Sequence, residues 1–338
     1  MAPGQGPGAP PRNSSAGARR IPRGRSPGRP GRMSLVTSGA ARYRPRMTQQ
    51  KPAPPPVSVP PAVPSGPAPV PVPVARLGFD LPPVHDTPAA ERAHRKERLA
   101  GALRILGRYG CEDGVSGHLT ARDPELADCF WVNPFGLPFS LVTPADLVLA
   151  NARGQVVDGQ RHINQAAFAV HAAVHLARPD TVAVVHTHTV HGRALAALGE
   201  LVEPLTQEAC AFYEDHALMN AYTGVAVDEA EGRRIAAALG PRKALVLRNH
   251  GLLTVGGSVD AAVWWFLSLE RCAQVQLTAR AAGKPVPIGH RDAVATREQL
   301  GTDLAAWVSF QPLWRELTAG GCYGQGWDGG GREGHHFR

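Results

Sequence analysis

Three histidines stand where apolar segments of the sequence end. His186 and His188 follow the valine-rich run 182–185 and are separated by a single residue. Side chains two residues apart in a strand point to the same face, so both imidazoles can hold one ion from one side. His250 follows a second apolar run, 244–247, and precedes a glycine. Three neutral imidazoles are typical of a catalytic mononuclear site, and the sequence therefore predicts a metal centre.

The residue types predict a divalent cofactor without identifying the element. Imidazole is a common ligand of both Zn²⁺ and Fe²⁺ in proteins, and Mn²⁺ and Co²⁺ are further alternatives. A single H-x-H pair is a weak signal, because many strands carry histidines that bind nothing. The third histidine, again at the end of an apolar run, is what favours a metal site here.

Composition divides the chain into a tail and a foldable part. Residues 1–75 contain most of the prolines and no Asp or Glu, and 12 of the 36 basic residues precede Leu77, which leaves 24 basic against 28 acidic residues. We expect residues 1–78 to be a disordered Pro/Gly/Arg-rich tail and linker, since such a segment buries too little apolar surface to fold. The basic charge belongs to this tail, so no nucleic-acid partner is predicted for the folded part.

Cysteine usage and hydropathy point to a cytoplasmic protein. The five cysteines are widely spaced and form no CxxC motif, so neither a disulfide framework nor a thiolate metal site is predicted. No apolar run approaches the roughly 18 residues that a membrane-spanning helix needs. The N-terminal tail also lacks the apolar core of a signal peptide. We therefore expect no membrane partner.

Helical and strand patterns alternate between the tail and residue 315. The sequence predicts helices over 87–109, 163–176, 190–198, 228–239 and 259–282, and short strands over 130–132, 147–150, 182–185 (continuing into the histidine pair), 245–247 and 252–255. Residues 205–213 are predicted as a strand followed by a loop. The segment after 282 is expected to pack on a neighbouring chain. These patterns indicate an α/β fold: one domain over 80–315 with a mixed central β-sheet covered by helices on both faces, followed by a flexible C-terminal tail, 316–338.

The chain from about 90 to 285 resembles the class II aldolase / adducin N-terminal family, typified by fuculose-phosphate aldolase. The resemblance is carried by four motifs in this order: Ser116-Gly117-His118, Asn133-Pro134-Phe135-Gly136, Arg178-Pro179-Asp180 followed by the H-x-H pair, and Asn249-His250-Gly251-Leu252. Membership implies a homotetramer with active sites at subunit interfaces. It also implies a divalent metal held by the counterparts of His186, His188 and His250.

The chain departs from the sugar-phosphate aldolases at the positions that handle substrate. Their glutamate base becomes Ala167, and two serines of their phosphate pocket become Gln165 and Ala166. Their phosphate-binding asparagine becomes His118, and a threonine becomes Phe135. A phosphate needs several convergent donors, and these changes remove them. The resemblance therefore implies a metal enzyme with a non-phosphorylated substrate.

The run Gln207–His216 resembles a bacterial subgroup of the family. This subgroup is similar to the enzymes of aminocoumarin antibiotic biosynthesis that trim prenylated 4-hydroxyphenylpyruvate to the hydroxybenzoate, and those enzymes are treated as non-haem iron oxygenases. Phe135, Phe168, Phe212 and Tyr213 are consistent with an aromatic pocket, although each is equally typical of a core residue.

Two catalytic functions and one binding function fit these residues. The first is a metal-dependent C–C lyase, a retro-aldolase or decarboxylase, acting on a small 2-oxo or 2-hydroxy carboxylic acid. Glu208 is the first candidate to move protons, followed by His191, His118 and Tyr213. A decarboxylase fits the missing glutamate best, since loss of CO₂ needs no proton abstraction from carbon.

The alternatives are an iron(II) oxygenase acting on an aryl-pyruvate or mandelate-type acid and a non-catalytic, adducin-like interaction module. His171 and His175 lie four residues apart on a predicted helix without the glutamate of HExxH, so we expect them to face a subunit boundary or a carboxylate rather than a metal.

Overall fold

The centre of the fold is a mixed β-sheet, described in a computed structural model that covers residues 79–224 and 229–319. Its strands are β1 (Gly117–Arg122), β2 (Cys129–Val132), β3 (Val148–Asn151), β4 (Val156–Asp158), β5 (Ala183–Thr187), β6 (His216–Met219), β7 (Ala244–Leu247) and β8 (Gly251–Gly256). Across the sheet they follow the order β4-β3-β2-β1-β5-β8-β7-β6. Of these pairings only β6 with β7 is parallel.

Helices cover the two faces of this sheet. They are α1 (Pro88–Arg108), α2 (Gln165–Ala177), α3 (Val190–Leu198), α4 (Glu229–Leu239), α5 (Val259–Ala282), α6 (His290–Leu300) and α7 (Asp303–Ala319). Helices α2 and α4 pack on one face, while α1 and α5 pack on the other and α7 packs on both of them. The predicted α/β fold, a mixed sheet with helices on both faces, is confirmed.

Alternation along β5 decides which side chains reach which helix layer. Ala183 and Val185 belong to the apolar cluster under α5, whereas Val184 belongs to the cluster under α2 and α4. Because side chains alternate between the faces of a strand, His186 points to the α2 face, as Val184 does. The central strand thus delivers one of the predicted metal ligands to the space beneath α2.

Side-chain caps begin the longer helices where the sequence predicts. Thr87 accepts from the Ala90 amide in front of α1, with Pro88 at the first helical position. Ser258 accepts from the Ala261 amide in front of α5. Such caps satisfy amide groups that have no partner within the helix.

Residues 205–213 do not form the predicted strand. The segment contains a 3-10 helix, Glu208–Phe212, whose last four residues are all buried. A strand with one face on the core would expose alternate residues, so four consecutive buried positions suit a helical turn better. The 3-10 helix packs against α5 and α6.

The segment after α5 packs on its own chain, contrary to the prediction that it packs on a neighbour. Trp307 and Phe310 of α7 are buried in the core. The Trp314 ring lies so close to α1 that a β-carbon on Gly101 would fall 2.2 Å from it, and only glycine permits this approach. Helix α7 continues to Ala319, past the predicted domain end at 315. The predicted tail 1–78 and the rest of the C-terminal tail, 320–338, lie outside the described residues.

Two further features bear on the sequence predictions. Cys111, Cys129, Cys210 and Cys272 are buried and unpaired thiols. Within 79–224 and 229–319, no helix has the length and apolar character needed to cross a bilayer.

Candidate metal centre

The predicted metal ligands lie together where β5 ends and β8 begins. In the antiparallel register, His186 of β5 lies opposite His118 of β1 and Leu253 of β8. Directly opposite residues share a face, so the rings of His118 and His186 project to the same side. His188 follows the end of β5, and His250 immediately precedes β8. The antiparallel pairing of β5 with β8 brings the end of one strand next to the start of the other.

The three predicted metal ligands form one cluster. One ring nitrogen from each of His186, His188 and His250 lies within 4.8 Å of the other two, and the ring centroids are 4.7 to 5.1 Å apart. His186 Nδ1 lies 2.8 Å from the Leu252 carbonyl oxygen, which fixes the ring and leaves Nε2 for an ion. A backbone partner of this kind is typical of histidines that bind metals.

The electrostatics of the cluster suit a cation. Burial, together with His250 and His188, holds the pKa of His186 well below its usual range. Burial and His188 lower the pKa of His250 to about 4. Burial and Arg193 lower the pKa of His188. The imidazoles are therefore neutral near pH 7, and neutral imidazole is the form that binds a metal. The donor set fits a divalent ion.

A strained turn places His250. Asn249 has a φ of 56°, a left-handed conformation in which asparagine is one of the few tolerated residues. The His250 amide donates to the Leu247 carbonyl oxygen at 2.9 Å, closing the turn between β7 and β8. At Gly251 a β-carbon would lie 3.1 Å from the Thr187 carbonyl oxygen and 3.5 Å from His186, so a larger residue would press on the cluster.

A partly buried carboxylate holds the chain that follows His188. Glu270 of α5 accepts from the Thr189 hydroxyl at 2.5 Å, the His191 amide at 3.0 Å and the Gly192 amide at 2.6 Å. It also lies 2.9 Å from His191 Nδ1. A carboxylate at the first turn of α3 satisfies amides that lack helical partners and complements the helix dipole. The sequence alone gave no signal for Glu270, because it lies 79 residues from His191.

The cluster opens into a cavity of about 320 Å³, here called the metal cavity. Its described lining consists of Val115, Ser116, Gly117, His118, Asn164, Ala166, Ala167, Val170, His171, His186, His188, Arg193, Tyr222, Gly224, Leu247, Asn249 and His250. Five of these residues are histidines and one is an arginine. The described lining contains no Asp or Glu, so the cavity favours an anionic ligand.

Only one of the four predicted catalytic residues lines the metal cavity. His118 is buried there, and burial together with His188 lowers its pKa to about 4. His191 is absent from the lining because its ring is bound to Glu270. Glu208 and Tyr213 are also absent from the lining of the same chain.

Glu208 and Tyr213 lie with α5 and α6, whereas the metal cavity lies beneath α2. Glu208 begins the 3-10 helix and is exposed. The Tyr213 hydroxyl lies 3.0 Å from His290 Nδ1 of α6. Their predicted catalytic roles therefore require a second chain that brings them to the cavity.

The aromatic residues singled out in the sequence do not form the pocket. Phe168 and Phe212 are core residues, and the Phe135 side chain is 51% exposed. None of them lines the metal cavity of the same chain. The aromatic ring of the lining is Tyr222, which sequence reasoning missed together with Arg193.

The histidine pair of α2 faces neither a subunit boundary nor a carboxylate, contrary to the sequence prediction. His171 and His175 are buried, and each has a ring nitrogen 2.9 Å from the Thr120 hydroxyl of β1. Their spacing of one helical turn places both rings on the strand side of α2. His171 also lines the metal cavity. The i,i+4 pattern was visible in the sequence, but its partner on β1 was not.

A second, smaller space lies beside the turn 133–136. The space beside Asn133, Pro134 and Phe135 measures about 10 Å³, enough for about one water molecule.

Comparison with known proteins places this geometry in a family. The family model described as "Class II Aldolase and Adducin N-terminal domain" matches residues 97–277. A curated relative from Streptomyces roseochromogenus subsp. oscitans, named 4-hydroxy-3-prenylphenylpyruvate oxygenase/4-hydroxy-3-prenylbenzoate synthase, is 51% identical over 70% of this chain and 86% of its own length. Decarboxylase NovR from Streptomyces niveus is 50% identical over 70% of this chain and 88% of its own length.

A solved structure supports the same relationship. L-fuculose 1-phosphate aldolase from Glaciozyma antarctica PI12 superposes with a TM-score of 0.68 at 42% identity, and the match covers 73% of this chain and 97% of that one. Residues 97–277, which the family model matches, include His186, His188 and His250. This chain belongs to the class II aldolase and adducin N-terminal family.

Proposed function

We propose that the protein is a divalent-metal-dependent enzyme that cleaves a C–C bond of a non-phosphorylated 2-oxo or 2-hydroxy acid by decarboxylation. The observation that carries the proposal is the metal cavity itself. Three neutral imidazoles converge at one end of it, Arg193 lies in its lining, and the described lining has no carboxylate.

The chain's own residues bind and orient the acid. His186, His188 and His250 would hold the ion, which when bound would supply Lewis acidity toward the carboxylate and the adjacent oxo or hydroxyl oxygen of the acid. Arg193 supplies a second positive charge for the carboxylate. Ala166 and Ala167 leave the space beneath the start of α2 open to the substrate.

The lining favours decarboxylation over aldol cleavage. Abstraction of a proton from carbon or oxygen needs a positioned base within hydrogen-bond reach, and carboxylates are common in that role. Ala167 provides no such group, whereas loss of CO₂ does not need one. The Streptomyces niveus relative is named as a decarboxylase, which also favours decarboxylation.

An aromatic 2-oxo acid is the proposed substrate class. The name of the relative from Streptomyces roseochromogenus specifies a prenylated hydroxyphenylpyruvate. In this chain Val115, Val170, Leu247 and Tyr222 give the metal cavity an apolar side suited to an aryl group. A volume of about 320 Å³ lies within the usual range for small-molecule sites. By this reasoning the protein acts in secondary metabolism such as antibiotic biosynthesis.

An oxygen-dependent reaction is the second candidate. The relative that is 51% identical is named as an oxygenase, and histidine ligands suit Fe²⁺ as well as Zn²⁺. The same acid would then lose CO₂ with consumption of O₂. A non-catalytic, adducin-like role is the third reading, and the retained histidine cluster argues against it.

The proposed assembly is a homo-oligomer, a tetramer in the family's usual form, in the cytoplasm. Sites at its interfaces would let Glu208 or Tyr213 of one chain reach the metal cavity of another. No nucleic-acid or membrane partner is proposed.

The decisive experiment measures CO₂ and O₂ together. Protein purified without oxygen is loaded with Fe²⁺ or Zn²⁺ and offered phenylpyruvate, 4-hydroxyphenylpyruvate, mandelate and, as the competing substrate class, L-fuculose 1-phosphate. CO₂ release from an aryl acid without O₂ uptake is the expected result. Stoichiometric O₂ uptake with Fe²⁺ would establish the oxygenase instead. Cleavage of the sugar phosphate alone would overturn the proposal.

A further inference from the structure

A second histidine pair, His118 and His171, lies beside the three candidate ligands. Both rings line the metal cavity, and their centroids are 5.9 Å apart in an edge-to-face arrangement. The side chains of both are more than nine-tenths buried, with relative exposures of 4% and 1%. Within the described part of the chain, His118 Nδ1 and His171 Nε2 have no hydrogen-bond partner.

Unpartnered ring nitrogens at such depth need an explanation. A buried polar atom without a partner costs about 1–3 kcal/mol, and native proteins retain few of them. His171 Nε2 is not part of the metal-ligand cluster, which consists of His186, His188 and His250. A ligand in the metal cavity is therefore the natural partner for this nitrogen.

A hydrogen-bonded series behind His171 orients its ring. The Thr120 hydroxyl lies 2.9 Å from His171 Nδ1 and 2.9 Å from His175 Nε2. A hydroxyl has one proton, so one of these nitrogens must donate to it while the other accepts. When His175 Nε2–H donates to Thr120 and Thr120 donates to His171 Nδ1, His171 carries its proton on Nε2. That nitrogen is then a donor toward the cavity.

The other partners of His175 hold this series in place. Its ring stacks on Phe130 with centroids 4.4 Å apart and planes inclined by 7°. Arg122 of β1 donates to its carbonyl oxygen at 2.5 Å. His175 and Thr120 are both fully buried, so the series is shielded from water.

We propose that His171, with His118 beside it, hydrogen-bonds a carboxylate oxygen of the acid in the metal cavity, and that Thr120 and His175 are positioning residues that present Nε2–H of His171 as the donor. This inference rests on the proposed function, because it assigns the acid substrate its partners. This hydrogen bond would make the site select ligands that have a further oxygen in addition to the oxygens that bind the ion.

The test uses oxalate, the smallest chelating acid with further carboxylate oxygens, and zinc-loaded full-length protein. Binding is measured by calorimetry, and zinc content is measured in every variant. His171→Asn keeps an amide near the Nδ1 position, so Thr120 retains a partner while the cavity nitrogen is lost. His171→Gln instead places an amide nitrogen near the Nε2 position. We expect oxalate to bind His171→Asn about 10-fold or more weakly, with partial recovery in His171→Gln and unchanged zinc content.

A second pair of variants tests the positioning role. Thr120→Val removes the hydroxyl at nearly constant shape, and Thr120→Ser retains it. The expected result is weaker oxalate binding in the valine variant only. His94→Asn, at a half-buried histidine that packs near Trp307 outside the cavity lining, serves as the control and should bind oxalate normally.

The outcomes separate this inference from the proposed function. Equal oxalate affinity in wild type and His171→Asn overturns the inference while zinc-dependent binding still supports the proposed function. Loss of zinc in His171→Asn would make His171 a ligand and also overturn it. If zinc-loaded wild-type protein does not bind oxalate at all, acid binding at the metal is wrong, and the inference falls with it.

Discussion

At the scale of single residues, the cluster depends on groups that hold each imidazole from behind. His186 is held by the Leu252 carbonyl oxygen, whereas His250 is held by the turn that it closes. Among the described residues, the His188 ring has no hydrogen-bond partner of this kind, and its position depends on the Glu270 carboxylate through the residues that follow it. Removing a histidine ligand should therefore weaken metal binding more than removing a group that only supports the ligand.

Replacing His188 by alanine should abolish tight metal binding. Loss of a group that only supports a ligand already weakens metal binding about 10–100-fold, so loss of the ligand itself should weaken it by more than about 100-fold. Zinc content after dialysis and competition with a chelator measure the effect, while circular dichroism and gel filtration verify the fold and assembly. His162→Ala, at an exposed histidine outside the cavity lining, is the matched control. A His188→Ala protein that retains its zinc would refute the ligand assignment.

Replacing Glu270 by alanine should weaken the site without removing a ligand. Four groups around the start of α3 lose their carboxylate acceptor, so we expect about 10–100-fold weaker zinc binding. The buried amides left without a partner should lower the free energy of unfolding by about 1–3 kcal/mol. Zinc titration and urea unfolding measure the two effects. Glu298→Ala, at an exposed site on α6, should change neither. Unchanged zinc affinity in Glu270→Ala would show that the metal site does not depend on the Glu270 carboxylate.

At the scale of elements, Asp123 joins α1 to the hairpin of β1 and β2. It accepts from Arg92 at 2.6 and 2.8 Å, from Trp131 Nε1 at 2.9 Å, and from the amides of Glu125 and Leu126 at 3.0 Å each. Burial alone would raise the pKa of Asp123, but these hydrogen bonds outweigh it and hold the pKa well below its usual range. The folded state therefore strongly favours the carboxylate.

Asp123→Asn should destabilise the fold in a way that depends on pH. Because the pKa is lower in the folded state, the carboxylate stabilises the fold above the unfolded value of about 3.9 and loses this effect as the pH falls through the folded value. We expect a loss of about 2–4 kcal/mol in the free energy of unfolding at pH 7. Urea midpoints for wild type and variant should converge as the pH is lowered below about 4. A difference between the two urea midpoints that stays constant over this pH range would show that the Asp123 charge does not stabilise the fold.

The sequence predicted the elements whose signals are local. Thr87 and Ser258 cap helices that begin where expected, and the valine-rich run before His186 forms the central strand. Five elements were missed: β1, which follows a glycine-rich turn, β4, β6, α6 and α7. Strand β4 is exposed throughout, β6 has four residues at the sheet edge, and α7 contains Pro312, which interrupts a helical pattern.

The candidate site was predictable where it rests on residue type and order. His186, His188 and His250 could be grouped because each follows an apolar run. Glu270 and Tyr222 could not, since only the packing of segments distant in sequence brings them near the cluster. Arg193 follows His188 closely in the chain, but no motif distinguished it from other arginines. His171 shows the same limit: its spacing from His175 was evident, but Thr120, which binds both rings, lies 51 residues away along the chain.

At the scale of the whole molecule, the two sides of the sheet separate the metal cavity from the first predicted proton-transfer residue. The cavity lies beneath α2, whereas Glu208 lies on the 3-10 helix that packs against α5 and α6. Within one chain, Glu208 does not line the cavity. A symmetric assembly with active sites at its interfaces would solve this by letting each chain supply Glu208 to a neighbour.

Complementation between inactive variants tests this arrangement. His188→Ala should lack metal, and Glu208→Gln should retain metal but turn over slowly. If each site combines His188 of one chain with Glu208 of another, random mixed oligomers made by co-expression should have about a quarter of their sites intact and regain activity to match. The two variants carry different tags, so that mixed oligomers can be purified and their activity per chain measured. As a control, the variants are expressed and purified separately and then mixed, which reports how much activity arises from exchange of chains after purification. Wild-type turnover in Glu208→Gln would remove Glu208 from catalysis, and inactive mixed oligomers would show that the two residues do not act across an interface.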